Sequence, residues 1–364
     1  MKITRYGSLV GVAMVATLTL TACGSDNTPA AGSSTGTSSI ACKTGSIKAS
    51  GSSAQKNAIS AWTTAYQTAC PGATIEYSPS GSGAGIADFT KGQVAVAGSD
   101  SALKPEEQGP ADARCKTGKA INIPMVVGPI AVAYNLSGVS KLVLTPSVLA
   151  KIFANQITKW DDAAITALNP GVTLPSATIA QFHRSDSSGT SDNFTKYLTA
   201  ASGGAWTYDH SKDWKAPGGQ GAKGSDGVAA ALKSTPNSIG YIEYSFTKEG
   251  GLGVAQIDNG GGAVTLSPET AAKALEAATI KGTGNDLALT LDYATKDPGA
   301  YPIVLVTYEI TCEKGLTGAD LDVTKSFLTY TSSDAGQGIL TGLGYGPLPA
   351  SLAVKVRASV AAIS

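Results

Sequence analysis

Residues 120–134 read AINIPMVVGPIAVAY, a run without a charged side chain. Two prolines and a glycine interrupt a composition that otherwise favours a buried strand. A second, nearly uncharged run, YPIVLVTYEIT, occupies residues 301–311 and has a proline at its second position. The two runs predict a pair of antiparallel crossings between two lobes, with the chain breakers at a hinge. The alternative is that they are two unrelated strands of one core.

Antiparallel pairing of these two runs also predicts a disulfide bond. If Pro124 lies opposite residues 302–304, the pairing brings Cys115 near Cys312. A chain that leaves one lobe and later returns to it explains both the length of the sequence and this proximity of two cysteines.

The amino terminus has the pattern of an export signal. Residues 1–22 carry two basic side chains and then an apolar run that is too short to span a membrane. The tetrad that ends at Cys23 resembles a bacterial lipobox, which predicts a lipid on that cysteine; a plain cleaved signal is the alternative. Residues 23–42 are rich in Ser, Thr, Gly and Ala, and this composition predicts a flexible tether.

Cysteine usage fits an exported protein. Apart from Cys23 the sequence contains four cysteines, an even number that predicts disulfides and allows three connectivities. We expect Cys42 to pair with Cys70, because one precedes a predicted strand and the other ends the helix that returns from it. Zinc is disfavoured, since the sequence has no Cys-x-x-Cys motif and its histidines are His183 and His210.

The first part of the body alternates between strand and helix patterns. Residues 47–50 and 73–77 are predicted strands, and each is followed by a Gly- and Ser-rich turn and then by an amphipathic run. Residues 94–97 form a third predicted strand, which leads into Gly-Ser-Asp. Alternation of this kind predicts a layered α/β domain whose ligand groups lie at the strand ends.

Residues 184–190, RSDSSGT, precede another amphipathic run and are typical of an anion site. The start of a helix presents unpaired N–H groups and partial positive charge, and Gly189 allows the main chain to come close to a ligand. Arg184 adds a planar fork suited to two oxygens of one oxyanion. The alternative is an ordinary capped helix in which Arg184 pairs with Asp186.

Charge and motif spacing disfavour several other functions. The chain carries 27 basic and 27 acidic residues without a basic stripe, so we expect no nucleic-acid partner. A serine hydrolase is disfavoured because no Gly-x-Ser-x-Gly motif surrounds Ser82 or Ser188. A P-loop is disfavoured because residues 218–225 place the lysine before a glycine instead of before a serine.

Five motifs in order resemble the PstS family, the phosphate-binding lipoproteins of bacterial ABC importers. The resemblance implies an α/β, two-lobed, periplasmic-binding-protein-like fold of type II with two hinge crossovers. It also implies a non-enzymatic monomer without a cofactor, held to the outer face of the cell membrane by its lipid alone, with inorganic phosphate and ABC permease subunits as partners. The implied division is lobe 1 at 43–127 plus 302–364 and lobe 2 at 128–301. The matching motifs occupy residues 49–55, 81–85, 97–100, 184–191, and 221–228 together with 238–244.

The same resemblance implies which residues bind phosphate. Ala54 departs from a common family pattern in which phenylalanine follows the hydroxyl residue, but only a main-chain N–H is needed at that position. Asp186 would orient the arginine without touching the ligand. The implied phosphate ligands are Ser53, Ala54, Ser82, Asp100, Arg184, Ser188, Gly189 and Thr190.

Asp100 is the residue that we expect to discriminate between oxyanions. A carboxylate in an anion site is favourable only if it accepts a proton carried by the ligand, and phosphate near neutral pH carries one whereas sulfate does not. A helix cap is the alternative role for Asp100. Alternative functions are binding of sulfate, molybdate or arsenate, and hydrolysis of phosphoesters.

Overall fold

The computed structural model describes residues 40–248 and 250–364. The predictions of a signal at 1–22, a lipidated Cys23 and most of the tether at 23–42 therefore lie outside the described residues. Within the described ranges, no helix combines the length and the apolar character needed to cross a membrane.

Strands and helices alternate along the chain as the sequence predicts. Each predicted strand of the first part lies in or overlaps an observed one. A 3-10 turn occupies Tyr244–Thr247. The strands are β1 Gly45–Gly51, β2 Ala73–Ser78, β3 Val96–Ser99, β4 Ala120–Asn135, β5 Val143–Leu144, β6 Ala180–Arg184, β7 Gln220–Ala222, β8 Ser238–Glu243, β9 Gly253–Val254, β10 Gln256–Asp258, β11 Ala263–Val264, β12 Thr279–Ile280, β13 Leu289–Thr290 and β14 Val304–Cys312. The α-helices are α1 Lys56–Ala69, α2 Ser82–Thr90, α3 Pro105–Cys115, α4 Pro146–Phe153, α5 Ala163–Thr166, α6 Gly189–Ala201, α7 Gly224–Ser234, α8 Pro268–Ala274, α9 Gly318–Thr331, α10 Asp334–Leu343 and α11 Ala350–Ala361.

One mixed sheet runs through the described part of the chain in the order β2-β1-β3-β14-β4-β8-β6-β7. Strands β2, β1 and β3 are parallel to each other, and so are β8, β6 and β7. Helix α1 covers the first group with a buried stripe that includes Ile59, Trp62 and Tyr66. Because the polar turns follow the carboxyl ends of β1, β3 and β6, they are placed at the strand ends where α/β sheets bind ligands.

Strand β4 belongs to both halves of this sheet. It pairs with β14 from Ala120 to Pro129 and with β8 from Ile130 to Asn135, so it changes partner at Pro129. The N–H of Ile130 still donates to the carbonyl of Ile303 at 2.8 Å, which keeps the two crossings side by side. The antiparallel pairing of the two runs is therefore confirmed, whereas their crossing between two lobes stays a prediction.

The predicted register of this pairing is wrong. Pro124 lies opposite Tyr308, not opposite residues 302–304, and β14 begins at Val304. The predicted register would place the prolines of the two runs opposite each other, and in the structure they do not pair. Pro124 instead lies inside β4 beside a β-bulge, where a residue without an N–H is tolerated.

Both predicted disulfides are present. Cys42 bonds to Cys70 across 28 residues, and Cys115 bonds to Cys312 across 197 residues. The prediction of the second bond is correct although the predicted register is wrong. Cys115 ends α3, and a short turn leads from it to Ala120, which pairs with Cys312. The carboxyl-terminal return is thus covalently tied to the first part of the body.

Candidate anion-binding site

The structure brings the predicted ligands to one buried region at the strand ends. They lie on the turn after β1, at the start of α2, after β3, and along the link from β6 into α6. Each side chain named here is at most 2% exposed: Ser53, Ala54, Ser82, Asp100, Arg184, Ser188 and Thr190.

Arg184 is held in place by Asp186. Its Nε donates to Oδ1 of Asp186 at 2.7 Å, and its Nη2 contacts Oδ2 of the same carboxylate. The N–H of Gly224 also donates to Asp186, at 3.0 Å. Burial alone would raise the pKa of Asp186, but the hydrogen bond and charge of Arg184 outweigh it and hold that pKa below its usual value. One edge of the guanidinium is therefore fixed, and Nη1 on the other edge lies 3.5 Å from the Thr190 hydroxyl.

Helix α6 starts against the turn that carries Ser82. The Ser82 hydroxyl accepts from the N–H of Gly189 at 3.1 Å and from the N–H of Asp100 at 3.2 Å. A Cβ at position 189 would lie 2.6 Å from Cβ of Asp100, so this approach requires glycine. Ser188 is the N-cap of α6, and its hydroxyl accepts from the N–H of Ser191 at 3.2 Å. The structure thus shows the capped helix and the pairing of Arg184 with Asp186, and the anion-binding role of this segment stays a prediction.

Asp100 is surrounded by hydroxyl groups. Thr307 donates to Oδ1 at 2.9 Å and Thr190 donates to Oδ2 at 3.1 Å. Burial raises the pKa of Asp100, while hydrogen bonds from Ser52 and Thr307, the charge of Arg184 and the bond from Thr190 act in the opposite direction. The carboxylate is thus stabilised mainly by neutral donors.

Ser53 lies beside the amino terminus of α7. Its hydroxyl accepts from the N–H of Ser225 at 3.0 Å and lies 3.2 Å from the Ser225 hydroxyl. The N–H of Ala54 donates to the Ser52 hydroxyl at 3.1 Å. Ser52 therefore connects the first turn to Asp100, since it hydrogen-bonds with both.

Sequence reasoning missed Ser52, Ser225 and Thr307. Ser52 lies next to a predicted ligand and could have been included on proximity alone. Ser225 lies in the last of the five motifs, but the sequence around it does not indicate that it contacts Ser53. Thr307 is 207 residues from Asp100 and lies in an apolar strand, so only the pairing of β14 with β3 reveals it.

A second set of contacts surrounds Asp192 on α6. Asp192 accepts from the Ser101 hydroxyl at 2.6 Å and pairs with Lys196 at 2.6 Å and with Nδ1 of His210 at 2.7 Å. Burial would raise the pKa of Asp192, but Lys196 together with Ser101 and His210 lowers it to about 2. Asp192 therefore carries its charge near neutral pH and joins α6 to the turn that follows Asp100.

Lys212 and Glu107 form an ion pair at 2.6 Å near this region, and their side chains are 5% and 22% exposed. The backbone carbonyl of Lys212 accepts from the N–H of Ser188 at 2.9 Å. The pair connects α3 to the segment that supports the start of α6. Among the described residues, His, Cys, Asp and Glu side chains form no group of three suited to a metal.

Comparisons with known proteins place this arrangement in a family. The model for a PBP superfamily domain matches residues 29–335. The phosphate-binding protein PstS 3 of Mycobacterium tuberculosis is 44% identical over 372 residues, covering 100% of both chains. The chain belongs to the PstS family. The PstS 3 protein of Mycobacterium leprae is also 44% identical, over 100% of this chain and 99% of the relative.

The fold of this PstS-family chain also matches solved structures. A putative phosphate ABC transporter substrate-binding protein from Clostridium perfringens, solved with bound phosphate, has a TM-score of 0.62 and 20% identity. The match covers 84% of this chain and 100% of that one. It shows the expected α/β fold of the type II binding proteins. PstS-type binding proteins act outside the cytoplasm, and the relatives are named for binding and not for catalysis.

Proposed function

We propose that this chain binds inorganic phosphate outside the cytoplasm and delivers it to the membrane permease subunits of an ABC importer. The observation that carries the proposal is the convergence of Asp100, Arg184 and the start of α6 in one buried region. Membership of the PstS family supports it independently.

The chemistry of the site fits phosphate. Arg184 supplies charge-assisted donors, and the hydroxyls of Ser53, Ser82 and Thr190 with the N–H groups of α6 supply neutral ones. Asp100 accepts the proton that phosphate retains near neutral pH. With sulfate the same carboxylate faces an anion without a proton, at a cost on the order of 3 kcal/mol, or about a hundredfold in affinity.

Closure between two lobes would bring these groups around the ligand. We assign residues 43–127 plus 302–364 to lobe 1 and residues 128–301 to lobe 2, with the hinge where β4 changes partner. The contacts of Ser82 with Gly189 and of Asp100 with Thr190 then cross between the lobes. Ligand contacts that exist only in the closed form favour that form. The lipid on Cys23 anchors the monomer to the outer face of the membrane.

A hydrolase is less consistent with the histidines. His183 stacks on Trp214 with ring centroids 4.9 Å apart, and His210 pairs with Asp192. A serine nucleophile would require one of them as its base. We therefore assign Ser82 and Ser188 to binding and not to catalysis.

Calorimetry on protein stripped of bound ligand tests the proposal. We expect tight binding of phosphate with one site per chain and binding of sulfate weaker by about a hundredfold or more. Asp100→Asn should weaken phosphate binding and narrow the preference over sulfate. Asp322→Asn, which changes an exposed carboxylate on α9, is the matched control. It should keep the wild-type affinity for phosphate and the wild-type preference for phosphate over sulfate. A stripped wild-type protein that gives no heat with phosphate would refute the proposed ligand.

A further inference from the structure

Thr307 is a buried hydroxyl that the family resemblance does not assign to the site. It lies on β14, its residue is 0% exposed, and its hydroxyl donates to Oδ1 of Asp100 at 2.9 Å. A threonine in a buried apolar strand needs a hydrogen-bond partner, and here that partner is the carboxylate assigned to discrimination.

A β-bulge accompanies Thr307. Val126 lies opposite Thr307, whereas Pro124 lies opposite Tyr308, so the register shifts by one residue at Met125. Bulges change the direction of side chains and are frequent beside functional sites. The bulge therefore lies where β14 presents the Thr307 hydroxyl to Asp100.

Thr307 and Thr190 donate to different oxygens of Asp100. Oδ1 accepts from Thr307 and Oδ2 accepts from Thr190, and the Ser52 hydroxyl also favours the ionised form. A donated hydrogen bond favours an ionised carboxylate over a protonated one, because the charged form is the stronger acceptor. Thr190 belongs to the proposed ligand set and its hydroxyl is shared with the ligand region. Thr307 lies on another strand, is 0% exposed and donates to Asp100, and it is not among the proposed phosphate ligands.

The charged and titratable groups that interact with Asp100 come from several elements. Arg184 on β6 favours the ionised form. Burial, with a smaller contribution from the charge of Asp100, raises the pKa of Glu309 on β14 to about 7 and of Glu243 on β8 to about 8. Tyr77 on β2 has a pKa well above its usual value, mainly through burial. Burial therefore disfavours the charged form of all four acidic groups, and at Asp100 the hydroxyl donors and the charge of Arg184 oppose this effect.

We propose that Thr307 is a positioning residue that sets oxyanion specificity, by orienting Asp100 and keeping it ionised as an acceptor for a protonated ligand. The inference rests on the proposed function, since it concerns how this site distinguishes phosphate from sulfate. Without the Thr307 hydroxyl, Asp100 takes up a proton more readily, and a protonated Asp100 can donate to sulfate.

The test compares Thr307→Val, which removes the hydroxyl at similar volume, with Thr307→Ser, which keeps it. Affinities for phosphate and sulfate are measured by calorimetry between pH 5 and 9. We expect Thr307→Val to lower the phosphate-to-sulfate preference about tenfold at pH 7, and Thr307→Ser to stay within about threefold of wild type.

Sulfate binding against pH is the decisive readout, because sulfate itself does not titrate in this range. Its affinity should rise as the pH falls and Asp100 becomes protonated. Loss of a donor to the ionised form raises the pKa of Asp100, so the midpoint of this rise should move to higher pH in Thr307→Val and not in Thr307→Ser.

Thr311→Val is the matched control. Thr311 lies on the same strand, is also 0% exposed, and donates instead to the carbonyl of Ala95 at 3.0 Å. Thr311→Val should keep the wild-type preference for phosphate over sulfate and the wild-type pH midpoint of sulfate binding. If Thr307→Val does not fold, Thr307→Ala removes the same hydroxyl without a second methyl group in its place.

Two outcomes would overturn the inference while the proposed function stands. One is a folded Thr307→Val or Thr307→Ala protein that keeps the wild-type preference and sulfate midpoint. The other is an equal loss of phosphate and sulfate binding in the Ser and Val variants, which would indicate a packing role. Failure of the wild-type protein to bind phosphate would instead refute the proposed function itself.

Discussion

The two sides of the candidate site are built in different ways. On one side, residues 184–190 supply the guanidinium, the helix start and a hydroxyl from a single stretch of chain. On the other side, Asp100 follows β3, Ser52 follows β1 and Thr307 lies on β14. The first side depends on local structure, whereas the second exists only when three strands pair correctly.

The two sides also differ in electrostatics. Arg184 forms a buried ion pair with Asp186, so its charge is matched and its fork is oriented. Asp100 is held mainly by neutral hydroxyls, and its pKa is raised by burial. The comparison suggests a division of roles, in which the arginine side attracts any oxyanion and the aspartate side selects among them.

The largest expected effect is the loss of Arg184. Arg184→Ala should weaken phosphate and sulfate binding alike, by about 3 kcal/mol or more, because charge-assisted donors disappear from the site. This is on the order of a hundredfold in affinity. Arg184→Lys keeps the charge without the planar fork and should lie between Ala and wild type.

Calorimetry with both anions separates this effect from a change of selectivity. Arg357→Ala is the matched control, because Arg357 pairs with Asp334 in the carboxyl-terminal helices, away from the site. Thermal unfolding of each ligand-free variant shows how much the protein is destabilised when Asp186 loses its partner. A variant that loses phosphate binding and keeps sulfate binding would contradict the division of roles.

The same contrast explains what could be predicted from the sequence. The helix start at residues 184–190 can be predicted because its groups are neighbours in the chain and because a helix cap depends on the local sequence. The role of Thr307 could not be predicted, because a threonine in a mostly apolar strand is typical of an ordinary buried core. The predicted pairing of Cys115 with Cys312 is correct although the predicted strand register is wrong. Cys115 ends helix α3, and the short turn from there to Ala120 brings it next to Cys312.

The ion pair between Glu107 and Lys212 should have an intermediate effect. It connects the two proposed lobes without belonging to the proposed ligand set, so we expect it to stabilise the closed form without contacting the ligand. Lys212→Met should lower phosphate affinity about tenfold through faster dissociation, with the preference over sulfate unchanged. Stopped-flow measurement of release gives the dissociation rate directly.

A double variant and a matched control test this interpretation. Adding Glu107→Gln to Lys212→Met should recover part of the loss, because the stranded carboxylate is removed. Lys273→Met breaks a pair with Asp297 at 3.1 Å whose partners both lie in proposed lobe 2, so phosphate release should not change. A Lys212→Met protein that releases phosphate at the wild-type rate would contradict a role in closure.

The smallest expected effect belongs to Lys56 and Asp226, a second pair that joins the proposed lobes. Nζ of Lys56 lies 2.9 Å from Asp226, and the two side chains are 39% and 55% exposed. Exposed pairs contribute at most about 1 kcal/mol, so Asp226→Asn should change phosphate affinity by less than about fivefold. The change should vanish in about 1 M salt, where screening acts within a few ångströms. The pair of Lys212 and Glu107, whose side chains are 5% and 22% exposed, should keep most of its effect. An Asp226→Asn loss as large as that of Lys212→Met would mean that the number of contacts between the lobes, and not their burial, controls closure.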